Sequence, residues 1–474
     1  MSSSLHWSEV LRKSMSSTSP ATWKIWVCAT VLVLFANTTL EREYQLFHQL
    51  TEAPTPVGRD FAVYYVAGRI ALGEGDGRLY YCPTGNKTVR NREILRGNIP
   101  SDTAWSKVAA RAVGLPTTMH YTYPPFFAVL FSPLSRLKPR EAYFLWRGLS
   151  LVMLLLSTYL ILRSFQLEGD LPAILIATVG VLSFFPFAET LYEGQVSCLI
   201  LFLWTMGFYC TRTRRIAISA ACFAIGTAIK LTPAIVVPIM LLRRQWKWLF
   251  CYVATSASLL ALSLWRIGWE AHWFYISEVL PSMSAGMGGY LAKSLGTVVR
   301  NIYWRRVIFG PADSWEVPSS LNLLIRLASF ALYAGVLYYF WKKRNPDEVG
   351  LSEEVTVAAL LSLLISPLTW RHHFVLVLLP LVYVWMQSRE RGQKFRLYAL
   401  ALITVSIGTP IADFMLLHVH PGLLQALLSS LSMLAGCTLL LLSLREYRLG
   451  EIIRPQFVPT RVPALATRLW HSAH

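Results

Sequence analysis

The first group with chemical potential is a carboxylate among aromatic side chains in residues 58–65 (GRDFAVYY), about 20 residues after the first apolar run. Asp60 would lie at the edge of a bilayer there. Partial desolvation raises the pKa of a carboxyl group and makes the carboxylate a better proton acceptor. Tyr64 and Tyr65 follow it closely and could contact a substrate. A carboxylate at a helix start can also serve as a simple cap, and that alternative stays open.

Two further polar groups interrupt apolar runs on the face expected to carry Asp60. Residues 189–195 (ETLYEGQ) join two apolar runs and bring Glu193 and Gln195 to the bilayer edge. Lys230 precedes a Leu-Thr-Pro step that breaks an apolar helix. Ionisable groups in membrane segments are costly and usually have a function. The simpler alternatives are hydrogen bonding to helix ends for the first pair and extension to the interface for the lysine.

The remaining candidates lie in the second long loop, 267–319, and in residues 366–373 (SPLTWRHH) at the outer end of a later apolar run. They are Lys293, Arg300, Trp370, His372 and His373. Two adjacent histidines without a carboxylate partner are weak evidence for a metal site. We therefore expect neither a metal site nor a cofactor.

Together these groups suit sugar transfer from a lipid phosphate carrier. A positioned carboxylate can accept the proton of an acceptor hydroxyl as a general base, and cations or imidazoles can stabilise a phosphate leaving group. We assign the base to Asp60. The candidates for the donor phosphate are Lys230, Arg300 and one histidine, with His372 preferred to His373. The aromatic residues that could stack on sugar or prenyl groups are Tyr64, Tyr65, Tyr123 and Trp370.

The composition indicates a membrane protein. The 474 residues are 54% apolar and 15% charged, with a mean hydropathy of +0.44, whereas a soluble domain carries roughly 25% charged residues. The net charge of +18 falls largely in short basic loops between apolar runs. That pattern is typical of cytoplasmic connections and argues against a nucleic-acid partner. A polytopic all-α protein in contact with membrane lipids follows.

Thirteen apolar runs could cross a bilayer, measured loosely against the ~20 residues that ~30 Å of hydrocarbon requires. They are 23–40, 123–137, 141–163, 171–188, 196–211, 216–230, 233–242, 247–266, 320–341, 353–366, 373–388, 397–414 and 423–444. Basic residues near both chain ends place both ends in the cytoplasm, which requires an even number of crossings. We expect about 12 transmembrane helices, with 123–137 as the first candidate for a run that does not cross.

This interpretation divides the chain into a membrane domain with two cytoplasmic ends. The segments are an amino-terminal segment 1–22, the transmembrane domain 23–444, and a tail 445–474. Two long extracytoplasmic loops, 41–122 and 267–319, contain loop helices. In the first loop, apolar residues between Phe61 and Leu72 have the spacing of an amphipathic helix lying on the bilayer surface.

The chain resembles the polyprenol-phosphate-dependent glycosyltransferases of family 87, which include mannosyl- and arabinofuranosyltransferases of the GT-C superfamily. The motifs that carry the resemblance are Asp60-Phe61 with Tyr64-Tyr65, and residues 121–126 (YTYPPF), 194–196 (GQV), 226–233 (GTAIKLTP), 293–295 (KSL) and 366–373 (SPLTWRHH). The chain differs from the family pattern at Ser197, where that family often has Asn, and at Ala292-Lys293, where it often has Asn-Gln.

The resemblance implies a GT-C-type helical bundle with a catalytic carboxylate in its first extracytoplasmic loop. It implies that Asp60 is the base of an inverting transfer and that His372 or His373 lies in the site. No metal motif surrounds Asp60, in keeping with a metal-independent enzyme.

We therefore expect a multi-pass enzyme of the plasma or inner membrane with its active site on the extracytoplasmic face. It would move a sugar, a hexose with mannose favoured or a pentose, from a polyprenyl-phosphate donor to a lipid-linked or glycan acceptor. The alternative is a transporter or flippase of lipid-linked sugars, with Asp60 and Lys230 as coupling or gating charges. A structural membrane subunit would leave the polar groups on one face without a purpose.

Overall fold

Helices dominate the fold because a lipid-embedded backbone must satisfy its hydrogen bonds within each segment. A computed structural model describes residues 58–83, 99–114, 119–167, 171–284, 292–305, 317–343, 349–420 and 422–449, with single positions outside these ranges. Their regular structure is helical apart from isolated β-bridges such as that between Ala292 and Trp370. The expected all-α class is confirmed for this part of the chain.

The first half of the chain runs from two loop helices into longer apolar helices. In chain order these are α1 (Arg59–Ala71), α2 (Ala104–Val113), α3 (Pro125–Phe131), α4 (Pro139–Ser164), α5 (Leu171–Leu182), α6 (Phe185–Glu193), α7 (Ser197–Arg212), α8 (Ile216–Ile229), α9 (Val236–Leu242) and α10 (Trp246–Ile267). A 3₁₀ turn, Leu134–Arg136, follows α3, and another, Thr232–Ile235, leads into α9.

The second half begins with short helices of the second loop and ends with a further group of apolar helices. They are α11 (Trp269–Phe274), α12 (Leu280–Ser284), α13 (Leu295–Trp304), α14 (Ser319–Lys342), α15 (Val349–Ile365), α16 (Leu378–Glu390), α17 (Lys394–Gly408), α18 (Ile411–His418), α19 (Leu423–Ser429) and α20 (Leu431–Leu449). A π-helical turn, Tyr275–Val279, joins α11 to α12, and a 3₁₀ segment, Arg371–Val377, precedes α16.

Three helices in the described residues are long and apolar enough to cross a bilayer, namely α4, α10 and α14. They coincide with the predicted runs 141–163, 247–266 and 320–341. The pairs α5–α6 and α19–α20 are each bent by 50° at a short break, and counting each pair as one span raises the number to five. The chain is thus a helical membrane protein, while the expected twelve crossings are not reached by this criterion.

The run 123–137 contains only a short helix. Helix α3 has seven residues and therefore spans about 10 Å at 1.5 Å per residue, against a hydrocarbon core of ~30 Å. Pro124 and Pro125 set its start, because proline suits the first helical position and lacks the amide hydrogen that a longer helix would need. The suspicion that this run does not cross agrees with its length.

Helix α1 corrects one expectation about the first loop. The helix forms where the apolar spacing predicted it, but it does not leave one face exposed along its length. Residues 61–68 are all buried within the protein, and α1 packs against α2 and α3. The amphipathic pattern marked the helix correctly and missed the neighbours that cover its other face.

Two groups of helices flank the residues of the candidate site. In the first, α4, α7, α8 and α10 pack as sequential neighbours, and in the second α15, α16 and α17 pack on α20. Helix α7 contacts α15 and so joins the groups, while the segment Arg371–Val377 packs against α6. The expected cytoplasmic segment 1–22, most of the run 23–40 and most of the tail 445–474 lie outside the described residues.

Candidate functional site

Asp60 lies in the first turn of α1 but does not cap it. Gly58 occupies the cap position, and no side chain there accepts a hydrogen bond from the helix. The Asp60 carboxylate instead accepts a short hydrogen bond from the side-chain amide of Gln195, which comes from the turn between α6 and α7. Capping therefore does not explain this carboxylate, although its place near a helix start still favours negative charge.

The surroundings of Asp60 alter its acidity. The residue keeps a partly exposed edge, yet burial of the carboxylate raises the pKa of Asp60 to about 6. The hydrogen bond from Gln195 and the positive charges of Arg59 and Lys230 act in the opposite direction and limit the rise. A carboxyl group with this pKa is ionised at pH 7 and is a stronger base than an exposed aspartate.

Two glycines allow α1 to approach the α6–α7 turn. A Cβ at Gly58 would lie 2.5 Å from the carbonyl group of Glu193. Gly194 has a φ of +68°, and a Cβ there would lie 2.5 Å from that of Phe61. Both contacts are too close for any larger residue, and the left-handed backbone at Gly194 also favours glycine. The Asp60 carboxylate and the Gln195 amide can therefore meet because Gly58 and Gly194 have no side chains that would hold the two segments apart.

Gln195 connects the carboxylate to two tyrosines. Its Oε1 lies 2.8 Å from the Tyr64 hydroxyl and 3.2 Å from that of Tyr123, and both hydroxyls are positioned to donate to it. The two hydroxyls lie 2.7 Å apart. With the oxygen engaged by tyrosines, the amide must present its NH₂ group to Asp60. The network thus fixes the orientation of the amide and, through it, of the carboxylate.

Lys230 lies on the other side of Tyr123. Helix α8 ends at Ile229, Lys230 adopts an extended backbone, and Pro233 prevents the helix from continuing. The Lys230 Nζ then lies 5.8 Å from the centre of the Tyr123 ring and 2.5 Å from Nε2 of His373. The lysine is half-buried rather than extended into an interface.

His373 presents a donor to this lysine. Its Nδ1 accepts a hydrogen bond of 3.0 Å from the backbone N–H of Trp370, so in the neutral ring the proton resides on Nε2. The 2.5 Å contact with Lys230 is a hydrogen bond between Nε2 and the lysine Nζ. The N–H groups of the lysine remain donors that an anionic oxygen satisfies.

His372 occupies a different environment from its neighbour. Its Nδ1 lies 4.0 Å from a Glu189 oxygen, and its ring stacks on that of Trp370 with 6.4 Å between centres. Glu189 in turn holds Arg371 through buried hydrogen bonds of 2.8 and 3.1 Å. Of the two histidines, His373 is the one in contact with Lys230.

The Glu189–Arg371 pair was not singled out from the sequence. It connects α6 with the segment that carries the histidines, and both side chains are buried. Glu189 lies in the segment 189–195 and Arg371 in the segment 366–373, both of which were chosen for other residues. The opposite charges of the two residues were the feature that could have predicted the pair. Because a buried pair tolerates the loss of neither partner, this connection fixes the histidine segment against the α6–α7 turn.

The other sequence candidates lie around this network or apart from it. Lys293 is fully buried, and its backbone N–H donates to the carbonyl of Thr369 at 2.6 Å, which attaches the second loop to the histidine segment. Arg300 donates to Asn322 at 2.7 Å and packs on Gly286 and Gly296, away from Lys230.

Tyr65 and Glu193 occupy structural positions. The Tyr65 hydroxyl donates to the carbonyl of Leu137 at 2.6 Å, and its ring is buried in the protein. Glu193 ends α6, and its backbone forms the surface on which Gly58 rests. The structure thus brings Asp60, Gln195 and their tyrosine and lysine neighbours together and leaves these two residues beside them.

A small cavity of about 20 Å³ lies next to the Lys230–His373 pair. It has room for about one water molecule, so a larger group enters only when lining side chains move. Its lining residues are Ser197, Ile200, Lys230, Thr232, Ser362, Leu363, Ser366, Thr369, His373 and Leu376. In the described part of the chain, no group of three or more His, Cys, Asp or Glu side chains is arranged to hold a metal ion. The site therefore consists of a carboxylate, a linking amide, and a cavity lined by hydroxyls and cations.

Curated relatives give this geometry a chemical context. A polyprenol-phosphate-mannose-dependent alpha-(1-2)-phosphatidylinositol mannoside mannosyltransferase of Mycobacterium tuberculosis is 26% identical over 317 residues, which cover 61% of this chain and 68% of that protein. The corresponding pentamannoside mannosyltransferase of M. tuberculosis is 27% identical over 61% of this chain and 64% of its own length. Its counterpart in Mycolicibacterium smegmatis is 25% identical over 56% and 60%.

The family match covers the central part of the chain. The sequence model of glycosyltransferase family 87 matches residues 121–367, which is more than half of the 474 residues. The matched region contains Tyr123, Gln195 and Lys230, whereas Asp60 lies well before it and the histidine pair lies just after it. The resemblance noted in the sequence is therefore confirmed, and the chain belongs to glycosyltransferase family 87.

Proposed function

We propose that this protein transfers a sugar, with mannose favoured, from a polyprenyl-phosphate carrier to a lipid-linked acceptor on the extracytoplasmic side of the plasma or inner membrane. The observation that carries the proposal is the network in which Gln195 and Tyr123 separate the Asp60 carboxylate from the Lys230–His373 donors. The names of the relatives support the donor and the sugar, since they describe polyprenol-phosphate-mannose-dependent mannosyltransferases of phosphatidylinositol mannosides.

Asp60 acts as the general base. The acceptor hydroxyl gives its proton to the carboxylate while its oxygen forms a bond to the anomeric carbon of the donor sugar. The bond from that carbon to the phosphate oxygen breaks, and its electron pair leaves with the polyprenyl phosphate. Attack from the side opposite the phosphate inverts the anomeric configuration. A pKa of about 6 keeps the base ionised at neutral pH and still able to hold the proton.

Lys230 and His373 stabilise the leaving phosphate. Negative charge grows on the phosphate oxygens as the bond to the sugar breaks, and donors fixed in advance stabilise that charge most effectively. The N–H groups of Lys230, held in place by the hydrogen bond to Nε2 of His373, meet this requirement. His372, by contrast, lies beside Glu189 and positions the segment from which His373 extends.

The acceptor is the least constrained part of the proposal. It approaches the partly exposed edge of Asp60, near Arg59 and Tyr123. The relatives named for phosphatidylinositol mannosides favour a lipid-linked glycan as acceptor. The choice among related glycans depends on surfaces around this edge.

The test is sugar transfer by the purified full-length protein from a radiolabelled polyprenyl-phosphate-mannose donor. Asp60→Asn should lower kcat/KM by a factor of at least ~100, the usual contribution of a general base, with an unchanged melting temperature. Asp76→Asn is the matched control, because Asp76 lies in the same loop, is exposed, and contacts the backbone of Arg78.

Two results would overturn the proposal. One is an Asp60→Asn variant that transfers sugar as fast as the native protein. The other is movement of intact donor across vesicle membranes without release of polyprenyl phosphate, which is the behaviour of a flippase and not of a transferase.

A further inference from the structure

We propose that Ser197 and the amino end of α7 form a third side of the donor-phosphate site, facing the cavity that Lys230 and His373 line. This inference rests on the proposed function and deepens it, because it assigns the phosphate to a specific cavity and gives a role to Ser197, which the sequence showed only as a departure from the family pattern.

Ser197 has a buried hydroxyl that is not engaged. The residue is 4% exposed, and its Oγ finds no hydrogen-bond partner among the described residues. A buried hydroxyl without a partner costs free energy, and such groups in a folded protein call for an explanation. Because Ser197 lines the cavity, a ligand in that cavity would supply the missing partner.

Other hydroxyls on the same wall behave differently. Ser362 donates to the carbonyl of Ala359 at 2.7 Å, and Thr369 donates to that of Leu363 at 2.6 Å. Their hydrogens are used within the protein. The Ser197 hydrogen remains available for a ligand, so the wall offers a donor at this position.

The helix that begins at Ser197 adds to the same preference. Helix α7 has 16 residues, and no side chain caps its amino end. The first backbone N–H groups of a helix have no partners within it, and the helix dipole favours an anion at that end. The buried hydroxyl and the helix end are separate observations, and both point to a negatively charged oxygen.

The lining favours an anion over a neutral sugar. The described lining residues include the amine of Lys230 and the ring of His373, and no carboxylate. A sugar hydroxyl needs acceptors as well as donors, and carboxylates commonly provide them. Donors from Ser197 and Lys230, with His373 beside them and no facing carboxylate in the lining, match a phosphate.

The α6–α7 turn connects the base to the proposed phosphate site. Gln195 contacts the Asp60 carboxylate, and Ser197, two residues later, faces the cavity. A single rigid turn, fixed by the left-handed backbone of Gly194, would therefore hold the base and the phosphate at a set separation. That separation must accommodate one sugar ring between them.

The experiment measures phosphate binding and not catalysis. Purified full-length protein in detergent is titrated calorimetrically with farnesyl phosphate, inorganic phosphate and farnesol, which separate a lipid phosphate from free phosphate and from the tail alone. Farnesyl phosphate should bind the native protein more tightly than either of the others. Ser197→Ala should weaken its binding about tenfold, the loss expected for one hydrogen bond to a charged group.

A second variant keeps the inference testable if the first fails to fold. Ser197→Asp places a carboxylate at a helix start, which favours the fold, but repels a phosphate, so binding should fall by more than ~100-fold by like-charge repulsion at close range. Ser157→Ala is the control, because Ser157 is equally buried and its hydroxyl donates to Met153 within its own helix. It should bind like the native protein.

Each outcome bears on one claim. Native-like farnesyl phosphate binding by both Ser197 variants would overturn this inference while leaving transfer by Asp60 intact. Equal binding of inorganic phosphate, or of farnesol, would also overturn it, since the cavity would then recognise free phosphate or the tail. Weakened binding in a protein that transfers no sugar would support the cavity and refute the proposed function.

Discussion

The two ends of helix α15 hold buried charge in opposite ways. Near its start, Glu354 is fully buried and receives hydrogen bonds from the guanidinium of Arg243 and from Tyr447, the latter at 2.7 Å. Beyond its other end, Lys230 faces the imidazole of His373, and the Asp60 carboxylate faces an amide.

A second ion pair strengthens the contrast. Glu446, also fully buried, binds Arg391 at 2.5 Å and Arg396 at a shorter distance. At this end both carboxylates bind guanidinium groups, Glu354 one and Glu446 two, so opposite charges meet and the helices are joined. At the site end, Glu189 and Arg371 are paired in the same way, but a glutamine and tyrosines separate Asp60 from Lys230, and no ion pair joins those two in the described residues. Charge that is kept apart in this way remains available to a ligand.

The largest effect is expected when the Glu354–Arg243 ion pair is removed. Glu354→Gln removes one partner and leaves a largely buried guanidinium, so the folded state should lose about 3–5 kcal/mol. The melting temperature and the yield of folded protein in detergent would measure the loss. Protein that still folds should transfer sugar at the native specific rate, because Glu354 lies about 16 Å from the far end of its helix at 1.5 Å per residue.

The matching change at the site is Asp60→Asn, which should have the opposite effect. It should leave the melting temperature unchanged and abolish sugar transfer. An unchanged melting temperature for Glu354→Gln would mean that the buried pair near the start of α15 does not stabilise the fold. The comparison needs both variants in the same detergent, since ion-pair strength depends on the surrounding medium and on salt.

A smaller effect should follow from Gly194→Ala. The left-handed backbone costs about 1–2 kcal/mol for alanine, and the added Cβ would clash with that of Phe61. Helix α1 must shift, which separates Asp60 from Gln195, so transfer activity should fall more than stability does. Gly148→Ala in α4 is the control, because nothing lies within 4 Å of its added Cβ, and alanine is favoured in a helix. Equal loss of activity in both variants would contradict this role for Gly194.

The smallest effect sharpens the role of Gln195. The base must be ionised, so kcat/KM should rise with pH through about 6 and reach a plateau above it. The Gln195 hydrogen bond lowers the pKa of Asp60, so Gln195→Ala should raise that pKa and move the rise in activity to higher pH. Activity near pH 6 should therefore fall while activity near pH 8 changes little.

A pH–rate profile of each variant tests this shift. Residual activity of Asp60→Asn should lack the acid limb altogether. A midpoint that stays in place in Gln195→Ala would mean that the amide does not set the acidity of the carboxylate. A midpoint that moves to lower pH would contradict the sign of the argument.

Parts of the fold could be predicted because they depend on local pattern. The bounds of α4, α10 and α14 follow from apolar runs long enough to require a helix in lipid. The position of α1 followed from apolar spacing, but its burial did not, since α2 and α3 cover it through contacts distant in sequence. The twelve expected crossings exceed what the helices of the described residues support by length and hydropathy.

The amino-acid sequence by itself determined the kinds of chemistry available: an acidic residue in the first loop, a lysine at a helix break, a histidine pair, and membership of family 87. Only the tertiary structure decided which of these groups meet. It brings His373 to Lys230 in preference to His372 and leaves Arg300 with Asn322. It also turns the hydroxyl of Ser197 into the cavity. The physical reason is that adjacent residues point in different directions, and the partner of each is set by helices far away in the chain.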